Sequence, residues 1–147
     1  MSRSEWEFPP GHILTLQAQA ADIDGYGHVN NAVYMQWLDR TAWSHSTALG
    51  VSTADCLRLR RGMVVQRAEL DYLRGAGLHD TLQVATHIVE CDGKLRARRR
   101  FQIWRPADAQ TLLRATLDYV CMNLDSGRAA RMPAVFSAAY RAGTNST

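Results

Sequence analysis

One stretch of this chain repeats its apolar residues at helical spacing, and most of the rest alternates. Val33, Trp37, Leu38, Thr41, Ala42 and His45 recur every three or four positions, which is the stripe of an amphipathic helix. Asn30 or Asn31 can cap its start, because an Asn side chain accepts from the free amides of a first turn. Gly50 is a natural stop. The spacing therefore predicts one long helix from about Asn31 to Leu49, and nothing comparable elsewhere.

The remaining segments read as strands. His12 to Ala20 alternates, with Ile13, Thr15, Gln17 and Gln19 opposite Leu14, Leu16, Ala18 and Ala20. Met63 to Leu73 carries Val64, Ala68, Leu70 and Tyr72, with Gln66 as the exception. Thr81 to Glu90 alternates Leu82, Val84, Thr86 and Ile88. Asp92-Gly93 is a hairpin signal. Leu95, Ala97, Phe101 and Ile103 then share a face. A loop at Pro106-Ala107-Asp108 precedes a last strand from Leu112 to Met122, and Ser126-Gly127 and Pro133 turn the chain into a tail expected to be helical over Ala134 to Arg141. Residues 1–11 read as a loose lead-in closed by Pro9-Pro10-Gly11.

Strand, long helix, then four strands joined by hairpin-length connections is an α+β arrangement. An antiparallel sheet must curl around the helix to bury both apolar faces. One sheet on one helix leaves open edges, and dimerisation is the usual remedy.

The chain of 147 residues fits a single domain, 1–147, with its core over about 12–138. A hydrophobic fraction of 46% and a net charge of +3 exclude a disordered chain. No apolar run approaches a membrane span. The start, Met1 to Glu7, lacks a charged-then-apolar signal pattern, so a cytoplasmic location is expected. Cys56, Cys91 and Cys121 are odd in number and widely spaced, which fits neither a disulfide framework nor a zinc site. Cys121 reads as a small core residue. The mildly basic balance permits an acidic ligand. No nucleic-acid-binding signature accompanies it.

The chemistry concentrates where the bend meets the helix. Asp22, Asp24, His28, Asn30 and Asn31 lie within ten positions, among Gly25, Tyr26 and Gly27. A helix N-terminus offers free amides and a partial positive charge, which suit a carbonyl that develops negative charge. A nearby carboxylate can act as nucleophile or as general base on water. His28 can orient substrate or donate to the carbonyl. Turn and cap geometry alone also produce Asp-Gly and Asn-Asn clusters, but they do not account for His28 or the second carboxylate.

This segment, Asp22-x-Asp24-x-x-Gly27-His28-Val29-Asn30-Asn31-x-x-Tyr34, resembles the active-site signature of the hot-dog-fold thioesterases, of the 4-hydroxybenzoyl-CoA and acyl-ACP thioesterase kind. Glu69-Leu70-Asp71-Tyr72-Leu73 and Leu78-His79-Asp80-Thr81-Leu82 are similar to the family's second-strand and third-strand pattern. Cys121 to Asp125, with Arg128 and Pro133, resembles its last strand and tail. The similarity runs from about His12 to Ala138. It implies a hot-dog fold working as a homodimer or homotetramer, with no metal and no cofactor. It implies that Asp24 is the catalytic carboxylate and that the Asn31 amide polarises the thioester carbonyl. His28 matches a histidine of the acyl-ACP branch. That branch has an Asn two residues after the catalytic Asp, where this chain has Tyr26.

Tyr26, Asn30 and Tyr34 are the further substrate-binding candidates. Tyr34 and Trp37 lie one turn apart and suit either an acyl pocket or the core, with core the reading taken for Trp37. Asp39 reads as a solvated helix residue unless a neighbouring subunit brings it to the site. Lys94, Arg96, Arg98 and Arg100 share a strand face, opposite Arg99. Arg98 and Arg100 suit the phosphates of coenzyme A, with a plain solvated face the reading taken ahead of it, because alternating charge is what any exposed strand face shows. Arg58, Arg60 and Arg61 form a second basic cluster. The expected activity is hydrolysis of acyl-CoA to free acid and thiol. An acyl-ACP thioesterase and a non-catalytic acyl-thioester-binding module are the alternatives.

Overall fold

The computed structural model describes residues 5–144, so the part of the lead-in at residues 1–4 lies outside it. The helix expected from spacing is α1, Asn31–Ala48. Its buried residues are Tyr34, Trp37, Leu38, Thr41, Ala42, His45 and Ser46, close to the stripe read from sequence. Leu49 caps it and Gly50 follows at φ 103°, a conformation that disfavours side chains.

The strands are β1 His12–Gln17, β2 Arg61–Tyr72, β3 Thr81–Cys91, β4 Arg96–Arg105 and β5 Gln110–Asn123. They form one antiparallel sheet in the order β1-β3-β4-β5-β2. Only β3-β4 and β4-β5 are hairpins. β2 pairs with β5 and β3 with β1 and β4, so the 73–80 connection crosses the sheet instead of closing a hairpin. Strand spacing in sequence does not specify which edges meet.

Two short helices complete the chain. α2, Thr53–Leu59, has no counterpart in the sequence reading. Its signal is short: Ser52 and Asp55 form a reciprocal capping box. α3, Ala134–Thr144, is the expected tail helix, slightly longer. The first strand is shorter than expected, because Ala20–Asp22 turns into a 3-10 helix.

α1 packs on the inner face of the sheet through Trp37, Leu38, Leu82, Val84, Phe101, Ile103, Leu113 and Leu117. Full burial of one such side chain is worth about 1.5–3 kcal/mol, so this contact outweighs any cap or ion pair in the chain. Around Phe136 a second cluster joins α3 to Val51, Ile88 and Cys121. All three cysteines are free, and Cys121 is fully buried. In β2 a bulge falls between Val65 and Arg67, at Gln66. A bulge inserts one extra residue and so reverses the inward parity of the strand beyond it. Met63 before the bulge and Leu70 after it both reach the core. Val64 therefore does not share the face of Ala68, Leu70 and Tyr72.

Residues 5–11 are not a loose lead-in. They lie across the outer face of the sheet. The Glu7 amide donates to Gln102 Oε1 at 2.9 Å, and Gln102 Nε2 donates to the Glu5 carbonyl at 2.9 Å. Arg114 pairs with Glu7 at 2.6 Å, and Arg100 lies over the buried Phe8 ring. A polar side chain at an outward position, Gln102, is thereby fully buried. No described helix is long and apolar enough to cross a membrane.

His45 on α1 is held neutral. Burial, then the Arg99 guanidinium, lowers its pKa to about 3. Burial also lowers His12 and His87, with Arg99 and Arg100 adding to it. Unfolded, these rings titrate near the ordinary 6.5. Between about 6.5 and 3 the unfolded chain binds protons that the folded chain refuses, so stability is full above that window and falls as pH drops through it. Each histidine contributes at most about 1.4 kcal/mol per pH unit. Thermal denaturation between neutral and mildly acidic pH is expected to show a falling Tm, with a shallower fall in His45→Gln.

Candidate active site

The bend before α1 is closed by its own polar groups. The Asp24 amide donates to the His28 carbonyl at 2.8 Å, and Asp24 Oδ1 accepts from the Tyr26 amide at 2.9 Å and more weakly from His28 at 3.4 Å. Gly27 takes φ 81° inside this loop, the left-handed conformation that a glycine tolerates. Oδ1 of Asp24 is thus the turn acceptor. Among the described residues Oδ2 accepts no hydrogen bond, which leaves it to a water or a substrate group.

Asp22 and Asn30 have structural partners. The Asp22 carboxylate accepts from the Gln19 amide at 2.8 Å, and its carbonyl accepts from the Asn30 amide at 2.9 Å. Asn30 is the N-cap: its side chain accepts from the Ala32 amide at 3.0 Å. Asn31 is therefore the first helical residue. Its amide has no intrahelical acceptor and sits in the positive end of the helix dipole.

Asp24, His28 and Asn31 line one open depression of about 550 Å³, with Tyr26 and Tyr34. Its other wall comes from the end of β2 and the following loop: Tyr72, Leu73, Arg74 and Gly75. Tyr26 is 89% exposed at the rim, whereas Tyr34 is buried at the base. Tyr34 stacks edge-on against Trp37 and Tyr72, and its hydroxyl accepts from the Ala76 amide at 2.9 Å. Burial raises its pKa, so the phenol stays neutral. The Tyr72 hydroxyl donates to the Asn31 carbonyl at 3.2 Å. Trp37 is core, as expected.

The 73–80 loop is held from below by Arg105. Its guanidinium grips Asp108 with two bonds at 2.8 Å, Asp80 at 3.0 Å and the Gly75 carbonyl at 3.2 Å. These bonds, led by Asp108, raise its pKa further. Tyr72, Arg74 and Arg105 were not singled out from sequence as site residues. They come from the end of β2, the loop after it and the end of β4, distant along the chain from the bend, and no local spacing marks them.

Arg98 and Arg100 lie elsewhere in the chain. Arg98 is paired with Glu90 at 2.9 Å and Asp118 at 2.6 Å. Arg100 packs on Phe8 at the outer face. Lys94 sits in the turn before β4, where Asp92 accepts from its amide. Arg58 and Arg60 pair with Asp55 and Asp125. Asp39 is exposed on α1. Among the described residues no cluster of His, Cys, Asp and Glu could hold a metal.

A family model for the thioesterase-like superfamily matches residues 18–140, from the end of β1 to α3. The chain belongs to that superfamily. This superfamily member is 25% identical over 118 residues to the long-chain acyl-CoA thioesterase FadM of Escherichia coli (strain K12), covering 78% of this chain and 85% of that protein. Among solved structures, a 1,4-dihydroxy-2-naphthoyl-CoA thioesterase from Synechocystis matches with a TM-score of 0.79 at 23% identity, over 88% of this chain and 95% of the other. A Staphylococcus aureus protein in complex with CoA matches with a TM-score of 0.84 at 18% identity, over 92% and 85%. These structural matches establish the hot-dog fold, with the sheet wrapped on α1 as expected.

The Tyr34 hydroxyl ties α1 to the opposite wall of the depression. Tyr34→Phe leaves the fully buried Ala76 amide without its acceptor and is expected to cost about 1–3 kcal/mol. Asn30→Ala, which removes the cap, is expected to cost about 1 kcal/mol. Chemical denaturation of both variants checks the two values.

Proposed function

We propose that this protein hydrolyses acyl-CoA thioesters, with Asp24 as the catalytic carboxylate. The observation that carries the reading is the placement of the Asp24 carboxylate and the first-turn amide of α1, at Asn31, in one open depression. Superfamily membership and the acyl-CoA substrate in the name of the Escherichia coli relative support it.

In this reading the thioester carbonyl oxygen lies against the Asn31 amide, where the helix dipole stabilises the developing oxyanion. Asp24 takes a proton from a water as that water attacks the carbonyl carbon. The C–S bond then breaks and the thiolate leaves as free CoA. Direct attack by Asp24, through an anhydride that water hydrolyses, gives the same products. His28 flanks the carbonyl, and Tyr26 and Tyr34 bound the acyl group at the rim and the base. Arg74 is the basic residue that lines the depression and is assigned to the CoA phosphates ahead of Arg98 and Arg100. Those two serve this role only if a second chain brings its depression to the outer face of β4.

We also propose a homodimer through β2. This edge strand is twelve residues long, pairs on one side only and exposes Val65 and Tyr72. Unpaired edges of this length recruit partners. Sedimentation of the purified chain is expected to give twice the monomer mass or a multiple of it.

Release of thiol from a panel of acyl-CoAs, with acyl-ACP as the competing carrier, tests the activity. Asp24→Asn keeps an oxygen for the Tyr26 amide and so separates turn from chemistry. It is expected to lower kcat by at least about 100-fold, the lower range for a positioned general base, with little change in Tm. Full activity in Asp24→Asn rejects the mechanism.

A further inference from the structure

One peptide unit of the 73–80 loop is gripped from both sides. The Gly75 carbonyl accepts from Arg105 Nη1 at 3.2 Å, and the amide of the same peptide, at Ala76, donates to the Tyr34 hydroxyl at 2.9 Å. The Ala76 carbonyl then accepts from the Val29 amide at 3.0 Å. Before this unit the Leu73 amide donates to the Leu112 carbonyl at 2.9 Å, and after it the His79 amide donates to the Ala18 carbonyl at 3.0 Å. The loop is thus tied to the sheet at its ends and to the bend and α1 at its middle.

His28 rests on this peptide. A methyl group built on Gly75 would stand 3.5 Å from His28 Cδ2 and 3.8 Å from Cγ. Alanine would fill that gap, and a larger side chain would move the ring. The His28 side chain is exposed, and among the described residues its imidazole makes no hydrogen bond. An exposed ring of this kind changes rotamer readily, so the wall at Gly75 is what limits it. Arg105 sets where that wall stands. Its Nε and Nη2 hold Asp108 at 2.8 Å, and its Nη1 holds Asp80 Oδ2 at 3.0 Å as well as Gly75. Asp80 Oδ2 in turn accepts from the Gly77 amide at 2.8 Å. The Arg105 side chain is 18% exposed, so water and salt weaken these bonds less than at an open surface. A planar guanidinium supplies donors in several fixed directions, which one ammonium group cannot do.

We infer that Arg105 is a positioning residue of the candidate active site: it fixes the Gly75–Ala76 peptide and, through it, the His28 imidazole. Arg105 itself does not line the depression, so it acts only through what it holds. Its effect on rate rests on the hydrolysis reading, whereas the placement of the ring does not. A misplacement of about 1 Å at a reacting centre costs up to about 100-fold in rate.

Ring carbon–proton resonances of the histidines in the full chain test the placement without any turnover. The His28 signal is assigned by its loss in His28→Gln. Arg105→Met is expected to shift it while the signals of His12, His45 and His87 stay in place. Arg105→Lys keeps a charge for Asp80 and Asp108 and is expected to shift it less; this variant decides should Arg105→Met not fold. Gly75→Val is expected to shift it with Arg105 intact. With acyl-CoA as substrate, Arg105→Met is expected to lower kcat about 10–100-fold with little change in KM. In the His28→Gln background the same substitution is expected to add little, because the two residues act through one contact. The inference is overturned by a His28 signal unchanged in the folded Arg105 variants, by equal shifts in all four rings, by a rise in KM alone, or by losses that multiply in the double variant. Absence of acyl-CoA hydrolysis in the parent rejects the reading of Asp24, and the ring signals still decide the role of Arg105.

Discussion

The packing of α1 against the inner face of the sheet is the contact on which the rest depends. Trp37 and Leu38 meet Phe101, Ile103 and Leu113 in one apolar cluster. Their burial fixes the helix axis and its rotation, and therefore where its N-terminus points. The amide of Asn31 and the cap at Asn30 have no independent means of orientation. Nor does the bend at Asp24, which hangs from the helix start through the Asp22 carbonyl and the Asn30 amide. A shift of the core is thus a shift of the candidate catalytic groups.

Polar contacts then refine what the core has placed. Tyr34 reaches from the helix to the Ala76 amide, and Arg105 holds the same loop from the sheet side. Together they hold the two walls of the depression at a set separation. The other half of α1 carries the opposite kind of polar chemistry. Where the start of the helix is open, with an exposed His28, the end is closed over His45, Ser46 and Arg99. Uncharged acceptors hold that arginine in place of a carboxylate. The helix therefore has an anion-favouring dipole at one end and a buried cation near the other.

The candidate site was legible in part. Asp24, His28 and Asn31 are close in sequence, so any fold that keeps the bend keeps them together, and the structure gathers them with Tyr26 and Tyr34. Asp22 and Asn30 turned out to serve the backbone, which short-range spacing cannot distinguish from chemistry. Tyr72 and Arg105 enter from other strands and Arg74 from the loop after β2, and pairing across a sheet leaves no local mark. Arg99 was correctly set on the face opposite Arg98 and Arg100 by parity. Its burial was not legible, because an arginine on a strand reads as exposed until something covers it.

Periodicity by itself determined the elements of this protein: one long helix with its apolar stripe, strands on either side, and turns at Asp92-Gly93 and Gly50. Side-chain direction repeats at 3.6 residues in a helix and 2 in a strand, so a linear pattern suffices for these. The tertiary structure alone decided the strand order, the crossover from β2 to β3, the bulge at Gln66 and the covering of the outer face by residues 5–11. Each depends on contacts between segments far apart in the chain. Such contacts are selected by the total apolar area they bury and the hydrogen bonds they complete, and no single segment carries that sum.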